Sequence, residues 1–230
     1  DGKYQLFSWD TALTEISADL DTSSSQLTWI ADAYTVALAA LVLPVGALGD
    51  RLGRRTLLLI GTVVFGIAAL LAAMAGTAGE LIACRAGMGV GAAMIMPGTL
   101  STITAVFSAD RRPKAVSVWA GFASSGAILG LLTCGLVLEW FSWRASFVAT
   151  AVLAVVSFVG SSLMAPNTSD PDEVTIDVAG SLLSAIGVGA LVFGIIDGAE
   201  VGWGAGSTLT GLALAATAIA GFVWWGLRTR

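Results

Sequence analysis

The chain has 230 residues, of which 56% are hydrophobic and 12% charged, with a formal net charge of −5 and a mean hydropathy of +0.86. A soluble domain carries about 25% charged residues, so this composition excludes a soluble enzyme, a nucleic-acid binder and a disordered chain. The sequence contains no histidine. The commonest metal ligand and general base are therefore missing, and no metal site is expected.

The charges are clustered. None occurs between Arg55 and Glu80, between Lys114 and Glu139, or between Glu200 and Arg228. Each gap exceeds the roughly 20 apolar residues that cross a bilayer as a helix. In chain order, Tyr4–Ile16 is apolar but short and contains Asp10 and Glu15. It reads either as an interfacial lead-in or as the second half of a helix. Seven full spans follow: Leu27–Leu48, Thr56–Ala78, Leu81–Phe107, Ala115–Leu138, Ala145–Met164, Val178–Ile196 and Thr208–Leu227. The fold class is all-α, a polytopic helical membrane protein. Cys84 and Cys134 both fall inside spans and read as packing residues.

Lysine and arginine in the links set the orientation. Arg51, Arg54, Arg55, Arg111, Arg112, Lys114, Arg228 and Arg230 fall on one side, and Arg144 on the other. This asymmetry predicts that Asp50–Arg55, Ser108–Lys114 and the end of the chain are cytoplasmic. The acidic stretch Pro166–Asp177 follows to that side. Trp29, Trp140 and Trp143 are expected at the outer interface, and Trp224 and Trp225 at the inner one, as an aromatic belt.

Small residues four apart recur inside the spans: Gly87 and Gly91, Gly121 and Ser125, Gly126 and Gly130, Gly180 and Ser184. This spacing lets helix backbones approach closely. The link Gly46-Ala-Leu-Gly49-Asp50-Arg51-Leu-Gly53-Arg54-Arg55 reads as a tight turn. Gly49 and Gly53 permit the bend, and Asp50 can accept bidentate bonds from an arginine. A positive-inside anchor accounts for the arginines but not for Asp50 or the glycine spacing.

Two charges lie inside spans, Asp32 and Arg85, and intramembrane charges are functional candidates by default. Both are expected in the outer third of their helices. One reading has them facing the bundle interior as an ion pair that protonation of Asp32 breaks. The other has Asp32 reaching the interface and Arg85 bonding backbone carbonyls.

The pattern G-x-L-x-D-R-x-G-R-R over Gly46–Arg55 resembles the loop 2–3 signature of the major facilitator superfamily. Leu81-x-x-x-Arg85-x-x-Met88-Gly89-x-Gly91 resembles its fourth-helix motif, with Met where Gln is frequent. Trp29 with Asp32-Ala33-Tyr34, the stretch Leu138–Arg144, and Ile176–Gly180 with Gly194–Gly198 and Gly202-Trp203 resemble the 14-helix drug:proton antiporters. The chain departs from that pattern in places. Ala12-Leu13-Thr14 stands where Ala-Leu-Pro is usual, and the helix-1 acidic position falls near Gln5. Helix 5 keeps Gly126, Gly130 and Gly135 but lacks the Pro and one Gly of the antiporter motif.

The resemblance implies an incomplete first helix over 1–16, a six-helix bundle over 17–164, an acidic linker over 165–177 and two additional helices over 178–230. It implies proton-coupled efflux of small lipophilic or cationic compounds by a fragment of a transporter, not an enzyme. No cofactor is implied, since the proton gradient supplies the energy. The implied partners are a small-molecule substrate, the lipid bilayer, and a missing C-terminal half or another copy, with no nucleic acid. Asp32 and Arg85 are the coupling or substrate candidates. Gly46, Gly49, Asp50, Arg51, Gly53, Arg54, Arg55 and Arg112 form the gating set, with an Asp50–Arg112 network as an inner latch. Gly126, Gly130 and Gly135 form the helix-5 motif. The alternatives are a truncated, non-transporting membrane module and a transporter of another substrate class in the same superfamily.

Overall fold

The computed structural model describes residues 9–165 and 177–228; within these, the side chains at 9–11, 50, 51, 101, 102, 104–106 and 131 are not described. The lead-in before Trp9, most of the acidic linker and Arg230 lie outside the described residues. Among the described residues eight α-helices run in sequence: α1 (Trp9–Leu20), α2 (Ser24–Leu52), α3 (Arg54–Met74), α4 (Ala78–Val106), α5 (Arg112–Trp140), α6 (Trp143–Met164), α7 (Val178–Glu200) and α8 (Gly206–Arg228). The seven from α2 to α8 are each long and apolar enough to cross a membrane.

Several helices overrun the expected spans because their ends are capped by polar groups. Ser23 accepts from the Gln26 N–H at 3.3 Å while its own N–H donates to the Gln26 side chain at 2.9 Å. This reciprocal capping box starts α2 three residues before its apolar run. Thr77 caps α4 and Asp177 caps α7 in the same sense. Asp197 is drawn into α7, so the α7–α8 link shrinks to residues 201–205.

The link between α2 and α3 is shorter than expected. α2 continues to Leu52, α3 begins at Arg54, and the reversal is made at Gly53 alone, with φ 93°. Its N–H donates to Gly49 O at 3.1 Å and its carbonyl accepts from Leu57 N at 3.0 Å. Gly49 therefore does not bend the chain. It stays helical, and a Cβ there would come within 2.8 Å of Leu57 Cδ2. The glycine is required for closeness, not for a turn.

α4 packs along α2 and α3, α3 along α6, and α7 along α8. Glycines make these crossings. A Cβ on Gly89 of α4 would collide with the Tyr34 carbonyl of α2. A Cβ on Gly91 would meet Phe65 N at 2.7 Å and Gly61 O at 2.8 Å on α3. The α7–α8 hairpin closes the same way at Gly187 against Ile219 and at Gly194 against Leu212. It docks on α2, where Trp29 stacks on Phe193 with centroids 5.4 Å apart. α5 touches α1, α4 and α6 only lightly.

The core sits where α1, α2, α3, α4 and α6 meet, around Ile16, Ile30, Ala72, Leu81, Trp143 and Phe147. Trp143 is only 2% exposed, so it does not belong to an interfacial belt. Its indole N–H donates to Asp19 at 3.1 Å and its backbone N–H to Glu15 at 3.2 Å, and these acceptors let it leave water. Trp140, at 78% exposed, and Trp224 keep outward positions. Trp225 donates to the Asp177 carboxylate at 2.8 Å.

Candidate functional site

Arg85 occupies the seventh position after the start of α4, about 10 Å along the helix axis, and Asp32 lies about 12 Å along α2. The two helices run parallel, so the residues share a depth. The guanidinium does not rest on Asp32 alone. Its Nε donates to Ile30 O at 2.8 Å and its Nη2 to Ala31 O at 3.0 Å. The carbon at its centre lies 5.2 Å from the centroid of the Tyr34 ring, within cation–π range. Each helix carbonyl has a second lone pair for such a bond. Asp32, partly buried, interacts with Arg85 through space. α2 thus holds Arg85 by its main chain, and Asp32 supplies charge beside it.

On its other side Arg85 borders an open cavity of about 650 Å³ lined by α1, α4, α5 and α6. Ala12 and Ile16 form one wall, Met88 another, and Trp143, Phe147 and Thr150 a third. Gly126, Gly130 and Gly135 of α5 all face this space. A Cβ on Gly126 or Gly130 would meet nothing within 4 Å. The cavity is apolar with a few placed polar groups, and its volume is that of a small-molecule site. Arg85 is the only Arg, Lys, Asp or Glu among its described lining residues.

At the Arg85 end of the bundle a second network ties α1 to α6. The Arg144 guanidinium pairs with the Asp19 carboxylate, donates to Ala75 O at 3.0 Å, and sits 4.4 Å from the Trp143 ring centroid. The Arg144 hydrogen bond, then that of Trp143, holds the Asp19 carboxyl below its ordinary value of 3.8. Sequence reasoning used Arg144 only to set sidedness. Asp19 is 125 residues away and Ala75 is 69 away, and no local spacing signals either.

The residues expected to form a gating set lie at the opposite end. Arg55 crosses from α3 to α6 and donates to Ser162 O at 2.6 Å. Gly46 packs against Pro97 of α4. Arg112 turns onto its own link, with Nε donating to Phe107 O at 3.0 Å. The side chains of Asp50 and Arg51 lie outside the described residues, so the Asp50–Arg112 network is not seen. The gating loop and the Arg85 cavity are thus two separate places at opposite ends of one bundle.

Seven membrane-length helices among the described residues, glycine-closed crossings and a cavity of small-molecule size beside a partly buried arginine define a multi-pass membrane protein of transporter type. The model of the Major Facilitator Superfamily matches residues 7–229, and the chain belongs to that family. The methyl viologen resistance protein SmvA of Salmonella typhimurium is 37% identical over 183 residues, covering 79% of this chain and 37% of that protein. The multidrug efflux pump LfrA of Mycolicibacterium smegmatis is 42% identical over 175 residues, 75% of this chain and 34% of that protein. The methylenomycin A resistance protein of Streptomyces coelicolor is 34% identical over 206 residues, 89% of this chain and 43% of that protein. The chain spans less than half the length of these curated relatives.

Proposed function

We propose that the chain is the N-terminal part of a proton-coupled efflux transporter for small lipophilic or cationic compounds, working in the cell membrane with the Gly53 end of the bundle in the cytoplasm. The observation that carries this reading is the cavity of about 650 Å³ with Arg85 at its wall and the α5 glycines opposite. The relatives' names, which speak of resistance and efflux, favour the direction of transport. The proton gradient drives the cycle, no cofactor takes part, and no bond of the substrate is made or broken. The missing half of the transporter, or a second copy, completes the path by rocking against this bundle.

Arg85 keeps its place whether or not Asp32 is charged, because two α2 carbonyls hold it. Protonation of Asp32 then changes the charge at the cavity rather than the position of the guanidinium. A lipophilic cation and a proton compete for the same compensating negative charge, which is what exchange requires. The gating set, Gly46, Gly49, Asp50, Arg51, Gly53, Arg54, Arg55 and Arg112, controls the opposite end.

Asp32→Asn and Arg85→Ala, each placed in the full-length transporter, test this by proton-driven uptake of a fluorescent lipophilic cation into inverted vesicles. Loss of pH-driven transport, with the protein still inserted, is expected for both. Undiminished transport in both overturns the assignment.

A further inference from the structure

We propose that the groove between the last turn of α4 and the first turns of α5 binds an anionic phospholipid, its phosphate held by Arg111 and Lys114 and one acyl chain laid along Val118 and Phe122. The groove encloses about 760 Å³. Ile103 of α4 and Phe107, which caps that helix, form one wall, and residues from Arg111 to Phe122 form the other.

The α5 wall is built from two adjacent helical rows. Lys114, Val118 and Phe122 are spaced four apart, and so are Arg111, Ala115 and Trp119. Residues four apart lie on one face, so each row begins with a cation and ends with an aromatic ring. The rise from Lys114 to Phe122 is about 12 Å. An occupant that matches this wall is anionic at one end and apolar along the rest of its length. Phe122 is 77% exposed and Val118 51%, so this wall is largely open within the chain.

The two cations are available. Among the described residues, neither the Arg111 guanidinium nor the Lys114 ammonium has a hydrogen-bond or ion-pair partner, whereas neighbouring Arg112 is engaged by Phe107 O. Asp110 precedes them in the link but does not line the groove. Basic side chains at the foot of a transmembrane helix attract anionic headgroups, and Trp119 lines the same groove five residues further along α5 than Lys114. A free phosphate satisfies the cations but not the apolar wall. A neutral lipid satisfies the wall but not the cations.

The chain, purified in a neutral detergent, is titrated with phosphatidylglycerol or phosphatidylcholine, and bound lipid is counted by native mass spectrometry. Phosphatidylglycerol is expected to be retained over phosphatidylcholine. Arg111→Gln or Lys114→Gln lowers that preference about fivefold each, and the double variant by about 30-fold. Val118→Trp, which fills the groove and leaves both cations, also loses phosphatidylglycerol. Arg228→Gln, a basic residue at the same end of the bundle, leaves retention unchanged. An undiminished preference in the double variant overturns the proposal. So does displacement of the lipid by excess inorganic phosphate, which assigns the site to free phosphate. A concentration-dependent dimer that excludes lipid assigns the groove to a second copy and overturns it as well.

Discussion

Gly87 and Gly91 on α4 share their four-residue spacing with Gly126 and Gly130 on α5, yet the two helices use it in opposite ways. On α4 the glycines, with Gly89 between them, are where neighbouring backbones touch: α3 reaches Gly91 through Gly61 and Phe65, and α2 reaches Gly89 through Tyr34 and Ala37. On α5 nothing stands within 4 Å of where a Cβ would be, and the same spacing forms a cavity wall. A small-residue stripe therefore specifies a smooth surface, and what lies opposite decides whether that surface packs or stays open. In α4 the opposite surface is another glycine-bearing helix. In α5 it is a space bordered by Arg85.

The largest effect is expected where the glycine contact is tightest. Gly89→Val drives a branched side chain into the Tyr34 carbonyl and the Ala37 side chain. Neither can retreat without separating α2 from α4. Overpacking of this kind costs about 1–3 kcal/mol and sometimes more, and this site belongs at the upper end. Thermal melting in detergent, followed by size-exclusion chromatography, is expected to show a large drop in midpoint or an aggregated product. A monodisperse protein of unchanged stability would show that the α2–α4 crossing is looser than described.

Arg85 joins the packed region to the open one, and its loss ranks next. Arg85→Ala removes two charge-assisted bonds to Ile30 O and Ala31 O and leaves Asp32 without its cation. Hydrogen bonds to a charged group are worth about 1.5–3 kcal/mol each in favourable cases, so a net loss of about 2 kcal/mol is expected. Asp32→Asn removes the stranded charge and should return part of that loss. A thermal-denaturation cycle over the two single variants and the double variant measures the coupling. Strict additivity would mean that Asp32 and Arg85 do not communicate.

A smaller, pH-dependent effect belongs to the α1–α6 clamp. Arg144 and Trp143 depress the Asp19 carboxyl from its ordinary value of 3.8. A group more acidic in the folded protein contributes stability above its unfolded pKa and loses it as pH falls through the folded value. Asp19→Asn should therefore melt below the parent at neutral pH, and the two curves should converge as the pH drops below about 3.8. A difference that persists unchanged into that acid range would assign the effect to packing rather than to the charge.

Much of this architecture was legible because its signals are local. Apolar runs with at most one charge each marked the seven long helices, and the Gly46–Arg55 and Leu81–Gly91 patterns marked the family within single segments. Contacts between distant segments were not legible. Trp143 was expected at the interface because it lies at the end of a span. It is buried because Glu15 and Asp19, 128 and 124 residues away, accept its two N–H groups. Arg85 stood out as an intramembrane charge, but its carbonyl seat on α2 depends on a helix crossing set by Gly89. The cavity drew on helices separated in sequence, and no spacing within any one of them encodes its volume.

The smallest effect on stability sharpens the contrast most. Gly126→Val places two methyl groups where no atom lies within 4 Å of the added Cβ, so there is little to displace. Surface-like positions of this kind tolerate substitution within about 0.5 kcal/mol. The new side chain nevertheless projects into the cavity beside Arg85. If that cavity is part of the transport path, the full-length transporter carrying Gly126→Val should melt like the parent yet transport a bulky lipophilic cation poorly and a small one better. The pairing of intact stability with size-dependent transport separates a cavity wall from a packing contact. A melting loss as large as that of Gly89→Val would mean that α5 closes onto a neighbour, and the two glycine stripes would then do the same job.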